Sequence, residues 1–168
     1  PYTGSGYLSS AIAMDKDFTK RLIAGLDVAT PKWRRAEYTM KDIDSLTSLI
    51  NKSTYDKDIW LQRGVDDEGL AGFLQLASLD ESSLNALVGQ SITDTAFMSC
   101  GAAKGTGFGG NIINIYCPKG TKMLYIDGRS AYASENEMLI QRNTRFRITK
   151  VEKSGWRYFI DVEVVGQI

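Results

Sequence analysis

Apolar residues recur every three or four positions in the first half of the chain and every second position after residue 95. Tyr7, Ile12, Phe18, Leu22, Ile23 and Leu26 stand among small and charged residues at near-helical spacing, and Ala29-Thr30-Pro31 breaks that run. Met40, Ile43, Leu46, Leu49 and Ile50 then mark one face of an amphipathic helix. The polar stretch 52–58 predicts a loop. Residues 59–65 predict a buried strand that ends on Arg63, Gly64 and Val65. Residues 66–91 predict one or two short helices, with Leu70, Phe73, Leu74 and Leu76 inward and Gly89 as a stop.

In the second half, short strands are predicted at 96–100, 112–117 and 123–126, with another beginning at Glu137. Arg145 to Val151 alternates strictly, and Trp156 to Val165 does so over much of its length. A glycine-rich loop spans 101–110, Pro118-Lys119-Gly120 makes a turn, and 127–134 a loop. Helices first and strands later predict an α+β domain with antiparallel sheets. No repeat or second-domain boundary interrupts the 168 residues, which read as one domain. The start at Pro1-Tyr2-Thr3, without Met or a signal-like apolar run, reads as a fragment of a larger protein.

Composition narrows the chemistry. The chain has no histidine, which removes imidazole bases, Ser-His-Asp and Cys-His nucleophiles and His-ligated metals. Two cysteines cannot build a four-thiolate zinc site or a disulfide framework, so no metal is expected. Twenty basic against twenty acidic residues give zero net charge, which argues against a general grip on nucleic acid or anionic lipid. No apolar run approaches the roughly 20 residues of a membrane span. Carboxylates, arginines, hydroxyls and backbone groups remain.

Three stretches offer such chemistry. Arg63-Gly64 closes a hydrophobic strand, where a guanidinium can meet a phosphate or carboxylate and a glycine admits a ligand close to the backbone. Taken alone, it also fits a surface ion pair. Ser99 precedes the glycine-rich loop, whose single aromatic is Phe108. That loop lacks the Gly-Lys-Ser/Thr of a phosphate loop, and alone it fits a plain hairpin connection. Glu135-Asn136-Glu137 places two carboxylates at i and i+2, on one side if the backbone is extended, next to an apolar strand. Paired carboxylates stabilise oxocarbenium-like transition states, although Glu-x-Glu is also common on solvated faces.

The order Arg63, Ser99, Glu135-x-Glu137 resembles the mono-ADP-ribosyltransferase family, in the branch with an Arg, Ser-Thr-Ser and Glu-x-Glu signature. Leu61-Gln62-Arg63-Gly64 is similar to its arginine strand. Phe97-Met98-Ser99-Cys100-Gly101 stands where Phe-x-Ser-Thr-Ser is usual, and Phe108-Gly109 matches the loop aromatic. Pro118-Lys119-Gly120-Thr121 and the run from Ala133 to Ile140 are close to its strand turn and catalytic strand. Departures are Cys100 and Gly101 in place of Thr and Ser, Ser10-Ala11 and Met14-Asp15 near the start, and no basic residue after Phe108. Lys16, Arg21 or Lys104 are the candidates to replace the missing cation.

The resemblance implies N-terminal helices followed by two packed, mainly antiparallel sheets that form a NAD-binding cleft. It implies cleavage of NAD at the nicotinamide–ribose bond and transfer of ADP-ribose to a protein side chain. It assigns Glu137 to the ribose, Ser99 to holding Glu137, Arg63 to the diphosphate, Gly64 to the nicotinamide amide and Phe108 to stacking. Glu135 and Tyr132 face the acceptor, and a Glu at 135 goes with arginine acceptors. Implied partners are NAD and a host protein such as actin. The implied setting is a secreted effector acting in a target cell's cytoplasm, or a phage-associated modifier. A NAD glycohydrolase using water, and a degenerate binding module, are the alternatives.

Overall fold

A computed structural model of the chain describes residues 39–102, 110–126 and 136–168. The expected helix over Tyr7 to Leu26, most of the glycine-rich loop with Phe108, and Tyr132 and Glu135 lie outside these residues.

Helix α1 (Met40–Asn51) starts where the sequence pattern places it. Thr39 and Asp42 cap it reciprocally, the Thr39 N–H donating to Asp42 Oδ2 at 2.8 Å. Its buried stripe is Ile43, Leu46 and Ile50, narrower than predicted, since Met40 is exposed. Strand β1 (Ile59–Val65) runs into α2 (Asp67–Leu74), capped by Asp66, and then α3 (Glu81–Ala86), capped by Asp80. Helix α2 ends on Gln75 in the left-handed region, and α3 ends before the predicted stop at Gly89.

The remaining strands are β2 (Ser91–Asp94), β3 (Met98–Gly101), β4 (Asn111–Cys117), β5 (Met123–Ile126), β6 (Glu137–Ile140), β7 (Thr144–Ser154) and β8 (Arg157–Gln167). Strand β2 is absent from the sequence-based expectation. It is four residues long with one buried apolar side chain, Ile92, too little for an alternation to register.

One detail of the expected sheet arrangement needs correction. The strands form one hydrogen-bonded sheet, in the order β2-β7-β8-β4-β1-β3-β6-β5, and not two. Its narrowest point is the β1–β3 junction, where a single pair, Gln62 with Gly101, joins a five-stranded part to a three-stranded part. The pairing is mainly antiparallel, as the resemblance implies, with β4 and β8 as the parallel exception. The 11-residue β7 and β8 form a hairpin through Gly155 and Trp156, so β8 reaches β4 in the same direction.

Each face of the sheet has its own apolar cover. Leu70, Leu74 and Leu84 of the helices join Leu61, Ile113, Met138, Phe146 and Ile160 in the larger core. Helix α1 packs Ile43, Leu46 and Ile50 on Phe97 and Leu139. Fully buried Gln141 bolts α1 to the end of β6, its Nε2 donating to Thr47 O at 2.9 Å and Asn51 Oδ1 at 3.0 Å.

Candidate active site

Strand β3 has alternating faces. Met98 and Cys100 are buried in the larger core, whereas Ser99 and Gly101 face the other way and are half-buried. Register pairs Ser99 with Leu139 and Gly101 with Glu137 on β6. Ser99 and Glu137 are therefore diagonal neighbours on one face, and the Ser99 hydroxyl donates to Glu137 Oε1. Arg63 reaches across from β1, its Nη1 donating to the Ser99 carbonyl oxygen at 3.2 Å. Both partners of β3 thus converge on one serine, with the side chain held from β6 and the main chain from β1. Arg63, Ser99 and Glu137 are brought together at the β1–β3 junction, with Gly64 one residue along.

The same alternation explains the two departures from the Ser-Thr-Ser pattern. Cys100 lies on the core side, so its replacement of a threonine leaves the site face unchanged. Burial pushes its thiol up to about 12, the Arg63 charge opposing and the Asp94 and Glu137 charges adding. A thiol so protonated is no nucleophile at neutral pH. Burial likewise raises Cys117, also a free thiol in the core. Gly101 lies on the site face, directly beside Glu137.

The backbone just before Glu137 leaves the extended region. Asn136 has φ +45°, in the left-handed region, so the extended strand starts only at Glu137. Asn136 suits that conformation, accepts from the Tyr125 hydroxyl at 2.9 Å, and its carbonyl accepts the Ala102 N–H at 3.1 Å. Asn136→Val, which puts a β-branched residue in this conformation, will cost about 2 kcal/mol and lower the melting temperature by about 5 °C. Asn136→Gly will lower it less, and equal melting of the two variants would refute the conformational argument.

Several polar groups around the site escape a reading of the sequence. Asp94 sits half-buried before β3, where its Oδ1 accepts the Ala96 N–H at 2.9 Å. Burial raises its carboxyl above the usual range, opposed by that hydrogen bond and by the Arg63 charge. Asn111, fully buried after the glycine-rich loop, donates to Asp67 Oδ1 at 2.7 Å and accepts the Tyr158 N–H at 2.9 Å. Gln62 donates to Asn114, and Asn114 to Asp161. Their signal in the sequence is a lone amide or acid inside an apolar strand, as in Ile59-Trp60-Leu61-Gln62 and Ile112-Ile113-Asn114-Ile115. Among the described residues no cluster of His, Cys, Asp and Glu could hold a metal ion.

Known proteins divide into partial and near-complete likenesses. D-alanine–D-alanine ligase of Cupriavidus pinatubonensis is 32% identical over 107 residues, covering 60% of this chain and 31% of that protein. That of Aquifex aeolicus is 54% identical over 52 residues, 31% of this chain and 17% of that protein. The chain spans less than a third of the length of these curated relatives, and so local a likeness carries no activity across. Three solved structures align along most of both chains. C3larvin toxin, an ADP-ribosyltransferase from Paenibacillus larvae, has a TM-score of 0.65 at 19% identity, covering 92% of this chain and 90% of that one. C3stau2 from S. aureus, solved with NAD, has a TM-score of 0.66 at 18% identity, covering 98% and 82%. The C3 exoenzyme of Clostridium limosum has a TM-score of 0.64 at 18% identity, covering 94% and 77%. At these identities the likeness shows a shared fold. A sequence model of the ADP-ribosyltransferase exoenzyme family matches residues 30–163, and the chain belongs to that family.

Proposed function

We propose that this protein cleaves NAD at the nicotinamide–ribose bond and transfers ADP-ribose to a protein side chain, with arginine as acceptor. The observation that carries the reading is the hydrogen bond from Ser99 to Glu137 Oε1. It fixes a carboxylate at the β1–β3 junction, with the Arg63 guanidinium tied to the same serine. Breaking the glycosidic bond leaves positive charge on the ribosyl carbon, and an oriented carboxylate binds that charge better than the ground state. Glu137 holds a ribose hydroxyl and faces the cation, Ser99 keeps Glu137 in its rotamer, and Arg63 pairs with the diphosphate. Gly64 meets the nicotinamide amide and Phe108 stacks on the ring. Glu135 and Tyr132 face the acceptor. Two structural neighbours, C3stau2 and the C. perfringens toxin BECa, were solved with NAD and NADH, which supports a dinucleotide as the ligand here.

The reading also places the protein among effectors that leave their producer and modify a host protein, since its neighbours are named as toxins. Incubation with labelled NAD and cell lysate, followed by mass spectrometry, tests it. Label on arginine side chains is the expected result. Release of nicotinamide with no labelled acceptor, agmatine included, would instead make the protein a NAD glycohydrolase.

A further inference from the structure

The β7–β8 hairpin turns through Gly155 and Trp156, with Gly155 at φ +62°. The tryptophan at this tip is 67% exposed, yet two contacts hold its ring. The ring edge lies so close over Gly110, the residue before β4, that a Cβ there would stand 2.7 Å from Cζ3. The Arg157 guanidinium covers the ring at 4.8 Å from its centroid. Stacking occupies the flat face of the guanidinium and leaves its N–H groups, which point outward in its plane, to a planar acceptor. Arg157 is exposed and pairs with no carboxylate among the described residues. The tip's other cations are engaged, Lys150 with Glu152 at 2.6 Å, and Lys153 with Glu81 at 3.8 Å and with the Tyr158 ring.

Register places this tip on the face of the sheet that carries the candidate site. Gly64 pairs with Ile112, and Ile112 with Phe159, so Arg157, two residues before Phe159, shares their face. Glu137 shares it too, through the pairs Glu137–Gly101 and Gly101–Gln62. The acidic start of α2, Asp67 and Glu68, belongs to the opposite face, where Leu70 and Leu74 pack. Four strand spacings and two pleats, at most about 23 Å, separate the Arg157 and Glu137 backbones. A standard interface of about 800 Å² per partner is about 32 Å across. One protein surface can therefore meet Glu137 and rest on the tip.

Resting on the transferase reading, we propose that the Trp156–Arg157 tip is a docking point for the protein acceptor. Trp156 takes an apolar position on that protein, and Arg157 takes a carboxylate beside it. Binding energy at interfaces concentrates in a few residues, tryptophan and arginine prominent among them. A ring already fixed by Gly110 and Arg157 has little freedom left to lose on binding.

The test follows three reactions of the intact chain with labelled NAD: nicotinamide release into water, transfer to agmatine, and transfer to the proteins of a cell lysate. Trp156→Ala should lower lysate labelling by about tenfold or more and leave the other two reactions within about twofold of the wild type. Trp156→Phe should recover part of the labelling. Arg157→Gln should lower it several-fold and flatten its dependence on salt, because one screened attraction is gone. Unchanged lysate labelling by a folded Trp156→Ala variant overturns the inference and leaves the transferase reading intact. Equal losses in all three reactions also overturn it, because the tip then serves NAD or the fold and not the acceptor. A wild-type protein that labels neither agmatine nor any lysate protein overturns the transferase reading, and the docking point with it.

Discussion

Glu137→Gln will lower nicotinamide release from NAD by about 10³-fold, equivalent to about 4 kcal/mol of transition-state stabilisation. The variant should melt within about 3 °C of the wild type, because the glutamine carbonyl can still accept the Ser99 hydroxyl that now bonds Glu137. The loss would come from removing one negative charge where a ribosyl cation develops, and not from a disturbed strand. Ser99→Ala should fall by about tenfold only, since it frees the rotamer of Glu137 and leaves the charge in place. Release of nicotinamide by chromatography, with melting curves beside it, measures both. A folded Glu137→Gln variant that hydrolyses NAD at the wild-type rate would take Glu137 out of the mechanism.

Both glutamate and arginine in this site are legible in the sequence because each lies in a strand with a strong apolar signal. Ile59 to Val65 and Glu137 to Ile140 each carry enough apolar side chains to declare a strand, and Arg63 and Glu137 stand out against them. Helix α1 is legible for the same reason, with a cap and a one-sided stripe. The features that escape depend on contacts distant in sequence. Whether β3 and β1 belong to one sheet or two turns on the single pair Gln62–Gly101, which no local pattern encodes. The parallel β4–β8 pairing depends on where a long hairpin returns, again a property of the whole chain. Asn136 shows a finer limit. The sequence places an Asn before Glu137, and only the backbone reveals that it is left-handed, so the extended strand begins one residue later. Cys100 shows the opposite: a departure from the family's motif falls on the core face, where burial holds the thiol protonated.

Glu135→Gln will separate transfer from hydrolysis. With agmatine as acceptor, transfer should fall by about 100-fold, while nicotinamide release into water stays within about threefold of the wild type. The two reactions share the step in which the glycosidic bond breaks and differ in the nucleophile that captures the ribosyl carbon. A water molecule needs little help against a ribosyl cation. A guanidinium arrives fully protonated, carries a like charge, and must be oriented and relieved of a proton before a nitrogen can attack. A carboxylate beside the attack path supplies the attraction, the orientation and the proton acceptor. A glutamine in its place keeps the shape and supplies none of the charge. Glu135→Asp should recover part of the transfer, because the charge returns on a shorter arm, and that recovery separates a chemical role from loss of a protein contact. If Glu135→Gln instead loses hydrolysis and transfer in equal measure, Glu135 acts on bond cleavage itself, and the division of labour between the two glutamates fails. If transfer to agmatine survives intact, the acceptor is activated by another group, and arginine specificity loses the residue on which it was based.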